Sequence, residues 1–196
     1  MPRRSQPWVF LAVLAATEGQ LAVAVLFPHL EQFEGKAFTA RLIAYPVMIL
    51  AAPAWWFLKN RARTADAPWA AFSLIALPFL VDVTGNTLDL YDTIEWWDDA
   101  NHLVNWVFLM AGVGLLMLRS VRGPRWASWW LIAGVGSLLA LGWEVGEYYA
   151  FIRGGTELAT AYTDTLGDMV LGTIGAAIAA TMLTVTAADR SGSVRA

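Results

Sequence analysis

Six stretches of this chain stay apolar for long enough to cross a lipid bilayer, and that restricts the fold before any single residue is weighed. They fall at about 7–28, 40–58, 69–88, 101–118, 126–151 and 164–187, each near the ~20 residues a helix needs to span the hydrocarbon core. Backbone amides find no water inside a bilayer, so only helices and closed barrels cross it. The runs are continuously apolar and lack the alternation of barrel strands. The expectation is therefore an all-α, polytopic six-helix transmembrane bundle. Charge content agrees with it, at 15% against 58% hydrophobic residues, where a soluble domain carries about a quarter. Residues 1–196 are read as a single integral membrane domain, with polar tails at 1–6 and 188–196.

A basic start followed by an apolar run raises the question of a cleaved signal peptide. The run is too long and lacks a small-x-small site, so an uncleaved first span is expected. Orientation follows from the basic residues. With the N-terminus inside, Arg3, Arg4, Lys59, Arg61, Arg63, Arg119, Arg122, Arg125, Arg190 and Arg195 are cytoplasmic, and only Lys36, Arg41 and Arg153 are outside. Ten against three satisfies the positive-inside rule and puts both termini in the cytoplasm. Trp8, Trp55, Trp56, Trp69, Trp126, Trp129 and Trp130 then gather near the inner ends as an interfacial belt.

Polar residues recur at helical spacing on the last four spans. Asp82, Asn86 and Asp89 follow one another at four and three residues, as do Asp98, His102 and Asn105. Glu144 pairs with Glu147, and Asp164 with Asp168. Each helix thus carries one polar stripe. In the topology above all four stripes lie at the outer side, with Asp82 and Glu144 about 10 Å below their helix ends. They are expected to face one another and form one acidic site. The first two spans are less informative: Glu18 and Gln20 interrupt the first, Pro46 and Pro53 the second, and no partner for the acids is evident on the second. Gly142 and Gly146 form a GxxxG pair expected to mark core packing first and a dimer contact second, while Gly172 and Gly175 allow close packing beneath Asp168.

An ionised side chain near the bilayer centre costs roughly 3 kcal/mol on insertion scales, and carboxylates that share a cavity also repel. Protonation, pairing with a basic residue or a bound cation can relieve this. Arg41 and Arg153 are too few for the whole set, so a cation fits best. Asp98 and His102 at i and i+4 present a carboxylate and an imidazole on one face, and acids converging from facing helices are how bundles hold metals. The candidate metal ligands are Asp82, Asp98, His102, Glu144, Glu147, Asp164 and Asp168, with His102, Glu144 and Asp168 as the candidate catalytic groups. With no cysteine in the chain, the donors are oxygen and imidazole, which leaves Mg²⁺, Mn²⁺, Ca²⁺, Zn²⁺ and Fe²⁺ open. Asp89, Asp92, Glu95 and Asp99 are expected in water, His29 in an interfacial loop, and Tyr148, Tyr149 and Tyr162 as interfacial anchors. For Asp82, Glu144 and Asp168 a buried polar network weighs as much as function.

Three motifs in order resemble the YjdF-like group of bacterial inner-membrane proteins and, more distantly, the VanZ-like family. They are Trp97-Asp98 followed by His102, Trp143-Glu144-x-x-Glu147-Tyr148-Tyr149, and Asp164-Thr165-x-x-Asp168-Met169 with Gly175-Ala176 beyond. Asp99 stands where the YjdF-like pattern tends to have arginine. The resemblance covers the third to sixth spans and implies a multi-pass protein of a bacterial-type plasma (inner) membrane.

Three functions compete. A metal-dependent hydrolase or transferase would act at the outer leaflet on a lipid-linked phosphate or sugar, with membrane lipid as its partner. A cation- or proton-coupled transporter would need a polar path through the inner half, where the fourth and fifth spans are apolar. A non-catalytic accessory subunit would use the cluster to fix its helices, alone, as a homodimer or in a larger membrane complex. A net charge of −3 without a basic run gives no case for nucleic acid.

Overall fold

The computed structural model describes residues 7–60, 66–121, 123–150 and 152–192. All of its long elements are helices: α1 (Pro7–Leu26), α2 (Phe38–Lys59), α3 (Trp69–Thr87), a single-turn α4 (Leu90–Thr93), α5 (Trp97–Ser120), α6 (Arg125–Ala150) and α7 (Ala161–Gly192). All but α4 are long and apolar enough to cross a membrane, so the six-span expectation holds. Boundaries follow local chemistry. Pro68 and Pro124 precede α3 and α6, where a missing amide hydrogen costs nothing. Asp98 and Asp99 occupy the first turn of α5 and Arg119 its last, each sign at the end of the helix dipole that favours it.

The chain packs as two groups of three helices. Phe10, Leu21, Phe33, Tyr45, Ile49, Phe72 and Phe79 form one core among α1, α2 and α3. Trp106, Met110, Ile132, Ala140, Ala176 and Ala180 form the other among α5, α6 and α7. Trp143 of α6 touches both, and α3 packs against α5 to join the groups. Half of the most apolar window of α3 is buried within the protein, against 22% for α1, α2 and α5, which makes α3 the central helix.

The second core closes through small residues, because apolar lipid offers no hydrophobic drive and helices associate by close contact. A methyl group at Gly175 would lie 2.5 Å from the Leu103 carbonyl oxygen, and one at Gly172 would lie 2.9 Å from both Ala140 and Trp106. Helix α7 can approach α5 and α6 only with glycine there. The other pair behaves differently. Gly142 and Gly146 are exposed and meet nothing within 4 Å. The expected core role of the GxxxG pair is therefore corrected: its spacing puts two glycines on one side of α6, and that side faces outward.

Candidate metal centre

Asp82 leaves α3 half-buried and finds donors on two other elements. The Arg41 guanidinium of α2 donates to both of its oxygens, at 2.9 and 3.3 Å. The Tyr45 hydroxyl, one helical turn further along α2, donates to Oδ2, and the Tyr91 hydroxyl of α4 donates to Oδ1 at 2.8 Å. Tyr91 reaches back because Asp89 adopts a left-handed conformation (φ 58°) that turns the chain after α3, a geometry aspartate tolerates better than most residues. Burial and the adjacent Asp82 carboxylate hold the Tyr91 hydroxyl well above the usual phenol range, so it stays a donor. Asn86, expected on the same stripe, bonds the Asp82 carbonyl. No partner on the second span is evident from sequence; α2 supplies two. An arginine near a span start signalled it, but a loop charge looks the same.

The groups around His102 have a different character. The imidazole leaves α5 with 10% of its side chain exposed. Its Nε2 lies 3.6 Å from Asp98 Oδ1 on the preceding turn and 3.8 Å from Asp168 Oδ1 of α7. Its Nδ1 lies 3.6 Å from Glu144 Oε1 of α6 and has no hydrogen-bond partner among the described residues. Glu144 and Asp168 are buried at 3% and 4% exposure. Two sets of side chains offer donor atoms within 4.8 Å of one another: Asp98 with His102 and Asp168, and His102 with Glu144 and Glu147. Three helices thus bring five of the seven expected ligands around one ring. Asp82 and Asp164 fall outside both sets, the first in its arginine and tyrosine cage, the second exposed at the start of α7.

Little positive charge reaches this cluster. Of the basic residues at this end, Lys36 pairs with Asp92, and Arg153 lies 5.2 Å from the centre of the Tyr149 ring. Arg41 bonds Asp82 and also acts on Glu147, which stands between the two groups. The strongest charges acting on Glu144 and Asp168 are other carboxylates. Thr165 gives Glu144 a hydrogen bond. Asp92, Glu95, Asp99 and His29 are exposed as expected, whereas Asp89 is half-buried at its turn. Tyr148, Tyr149 and Tyr162 are exposed, and the Glu18 side chain keeps one buried oxygen without a hydrogen-bond partner among the described residues.

Exposure falls along the cluster from Asp99 and Asp164, through half-buried Asp98, to Glu144 and Asp168. Immediately beyond, Trp106, Ala140, Gly172 and Gly175 close the three helices on one another. The cluster is a polar recess opening at one end of the bundle. An imidazole ringed by carboxylates just past hydrogen-bonding distance has the donor set of a divalent cation site.

These features define a polytopic helical membrane protein with a recessed acid and histidine cluster near one membrane face. The chain belongs to the family described as predicted membrane protein (DUF2238), which it matches over residues 8–189. That match agrees with the expected membrane family, and its description carries neither the YjdF-like nor the VanZ-like name. No curated protein and no solved structure matches the chain.

Proposed function

We propose that this protein binds a divalent cation in the recess among α5, α6 and α7 and uses it in hydrolysis or transfer on a lipid-linked phosphate or sugar. The observation that carries the cation is His102. A buried imidazole has two nitrogens facing carboxylates at 3.6 to 3.8 Å, too far for good hydrogen bonds and close enough to share an ion after small side-chain movements. In this reading Asp98, Asp168 and His102 Nε2 are the ligands. Glu144, on the other side of the ring, accepts the Nδ1 proton and fixes the tautomer, as carboxylates commonly do for metal-bound histidines. Glu147, held between Arg41 and the ring, is left to accept a proton from water. An ion there supplies a Lewis acid for phosphate oxygens and a more acidic water.

A recess closed at its inner side by packed helices suits a binding or reaction site better than a conduit. The excess of basic residues at the other end supports an outward-facing recess in a bacterial-type plasma membrane. Because the chain contains no cysteine, Thr93→Cys can be labelled alone with a membrane-impermeant thiol reagent in intact cells. Labelling only after lysis would reverse the orientation. Elemental analysis of protein purified without chelator is the test of the ion. A near-stoichiometric divalent metal is expected in the wild type and is expected to be lost in Asp98→Ala and Glu144→Ala. The same metal content in all three proteins would rule this reading out.

A further inference from the structure

The far end of the bundle carries a cavity in which the acidic cluster has no part. Helices α2 and α5 both begin beside the acids and end here, and α2 alone, with 22 residues, separates the two places by ~33 Å at 1.5 Å per residue. The cavity, of about 340 Å³, lies between the C-terminal turns of these helices and the approach to α3. Trp56 and Leu116 line it with apolar surface, and Lys59, Asp66 and Arg119 line it with charge. Trp56 is buried, while the three charged residues are exposed. Polarity thus rises from floor to mouth, as it does across the edge of a bilayer. The Lys59 ammonium is held 4.9 Å from the centre of the Trp55 ring, which keeps it at the mouth.

The signs of the lining residues narrow the occupant. Among the described lining residues two cations, Lys59 and Arg119, stand beside one carboxylate, Asp66. A group with both signs finds a partner for each. We infer that the cavity holds a lipid headgroup bearing a phosphate and a primary ammonium, as in phosphatidylethanolamine. Phosphate sits between Lys59 and Arg119, and the ammonium donates to Asp66. Asp66 also has a partner within the protein, and a carboxylate has lone pairs for a second donor. A choline headgroup has no N–H to donate, and a glycerol headgroup has no positive charge. The apolar floor selects the lipid over the same headgroup free in water, because Trp56 and Leu116 are left to cover the glycerol ester region.

Native mass spectrometry of the full chain, delipidated in detergent and titrated with phosphatidylethanolamine, phosphatidylcholine and phosphatidylglycerol in turn, reads this directly. Phosphatidylethanolamine is expected to be retained several-fold better than either of the others. Lys59→Gln with Arg119→Gln is expected to remove that preference by weakening retention, and Asp66→Asn to shift it toward phosphatidylglycerol. Water-soluble glycerophosphoethanolamine is expected not to displace the lipid; displacement at millimolar concentration would reassign the site to a soluble ligand. Equal retention of the three lipids by the wild type would overturn the proposal without any variant having to fold. The metal content of the acidic recess is unaffected in either case, so the two sites fail or stand separately.

Discussion

Asp82 and Asp168 are both intramembrane carboxylates on apolar helices, and the protein treats them in opposite ways. Asp82 accepts hydrogen bonds from Arg41, Tyr45 and Tyr91 and is neutralised by the arginine. Asp168 is more deeply placed and faces an imidazole at 3.8 Å and a set of other carboxylates. The first arrangement is complete without any ligand. The second gains from an added positive charge. A protein that needed only to bury acids safely could repeat the first solution, and the difference is what the proposed cation would answer.

The largest effect expected from this contrast comes from breaking the complete site. Arg41→Met strands the Asp82 carboxylate in the bundle, a change that costs about 3–5 kcal/mol when a buried pair loses one partner. Adding Asp82→Asn to Arg41→Met should recover most of the loss, since the uncompensated charge is gone. Thermal unfolding in detergent measures both. If Arg41→Met melts like the wild type, the cage is not what holds α2 against α3.

Opposite signs are expected at the incomplete site. Asp98 and Asp168 offer oxygens within 4.8 Å of each other, and two full charges 4.8 Å apart repel by ~3.5 kcal/mol at an effective dielectric constant of 20, a figure lowered by solvent around the Asp98 side chain, which is 41% exposed. In chelator, Asp168→Asn should therefore raise stability. A destabilisation there comparable to that of Arg41→Met would mean the recess is a structural network like the first. Divalent cation should reverse the ranking. Saturating at 100 times its dissociation constant, an ion that binds only the folded protein adds about 2.7 kcal/mol, and Asp168→Asn should lose this gain while Arg41→Met keeps it.

The comparison also explains what the sequence could reveal. Hydropathy carries the six spans, because lipid demands ~20 apolar residues in a row wherever a helix crosses. The 3.6-residue repeat carries Asp98 with His102 and Glu144 with Glu147, because spacing decides which side chains share a helix face. It says nothing about which helix stands opposite that face. Four stripes at one depth read as one site, and spacing does not tell that Arg41 and Tyr45 take up the Asp82 carboxylate while Asp98, His102, Glu144, Glu147 and Asp168 converge beside it. Arg41 itself lies four residues into α2 and is indistinguishable in sequence from a loop charge next to a span. Gly142 and Gly146 had the same ambiguity: small residues fix a flat side of α6, and the neighbours decide whether that side is packed or open. Tyr91 depends on a left-handed turn at Asp89, and nothing in the spacing of the third span announces it.

Asp164 gives the smallest and sharpest test of where the recess ends. It shares the i, i+4 spacing with Asp168 and was as strong a ligand candidate by sequence, yet it is exposed and belongs to neither set of convergent donors. At that position its charge acts on the ion through solvent, and exposed charges separated by water contribute up to about 1 kcal/mol. Asp164→Asn should then weaken cation binding by no more than about fivefold, with the loss disappearing at high salt because screening removes a field but not a ligand. Asp168→Asn should weaken it far more and do so at any ionic strength. Calorimetric titrations of both variants at low and high salt separate the two behaviours. Equal, salt-independent losses would move the boundary of the site out to the first turn of α7, and the recess would then be a shallower and more exposed centre than its buried acids imply.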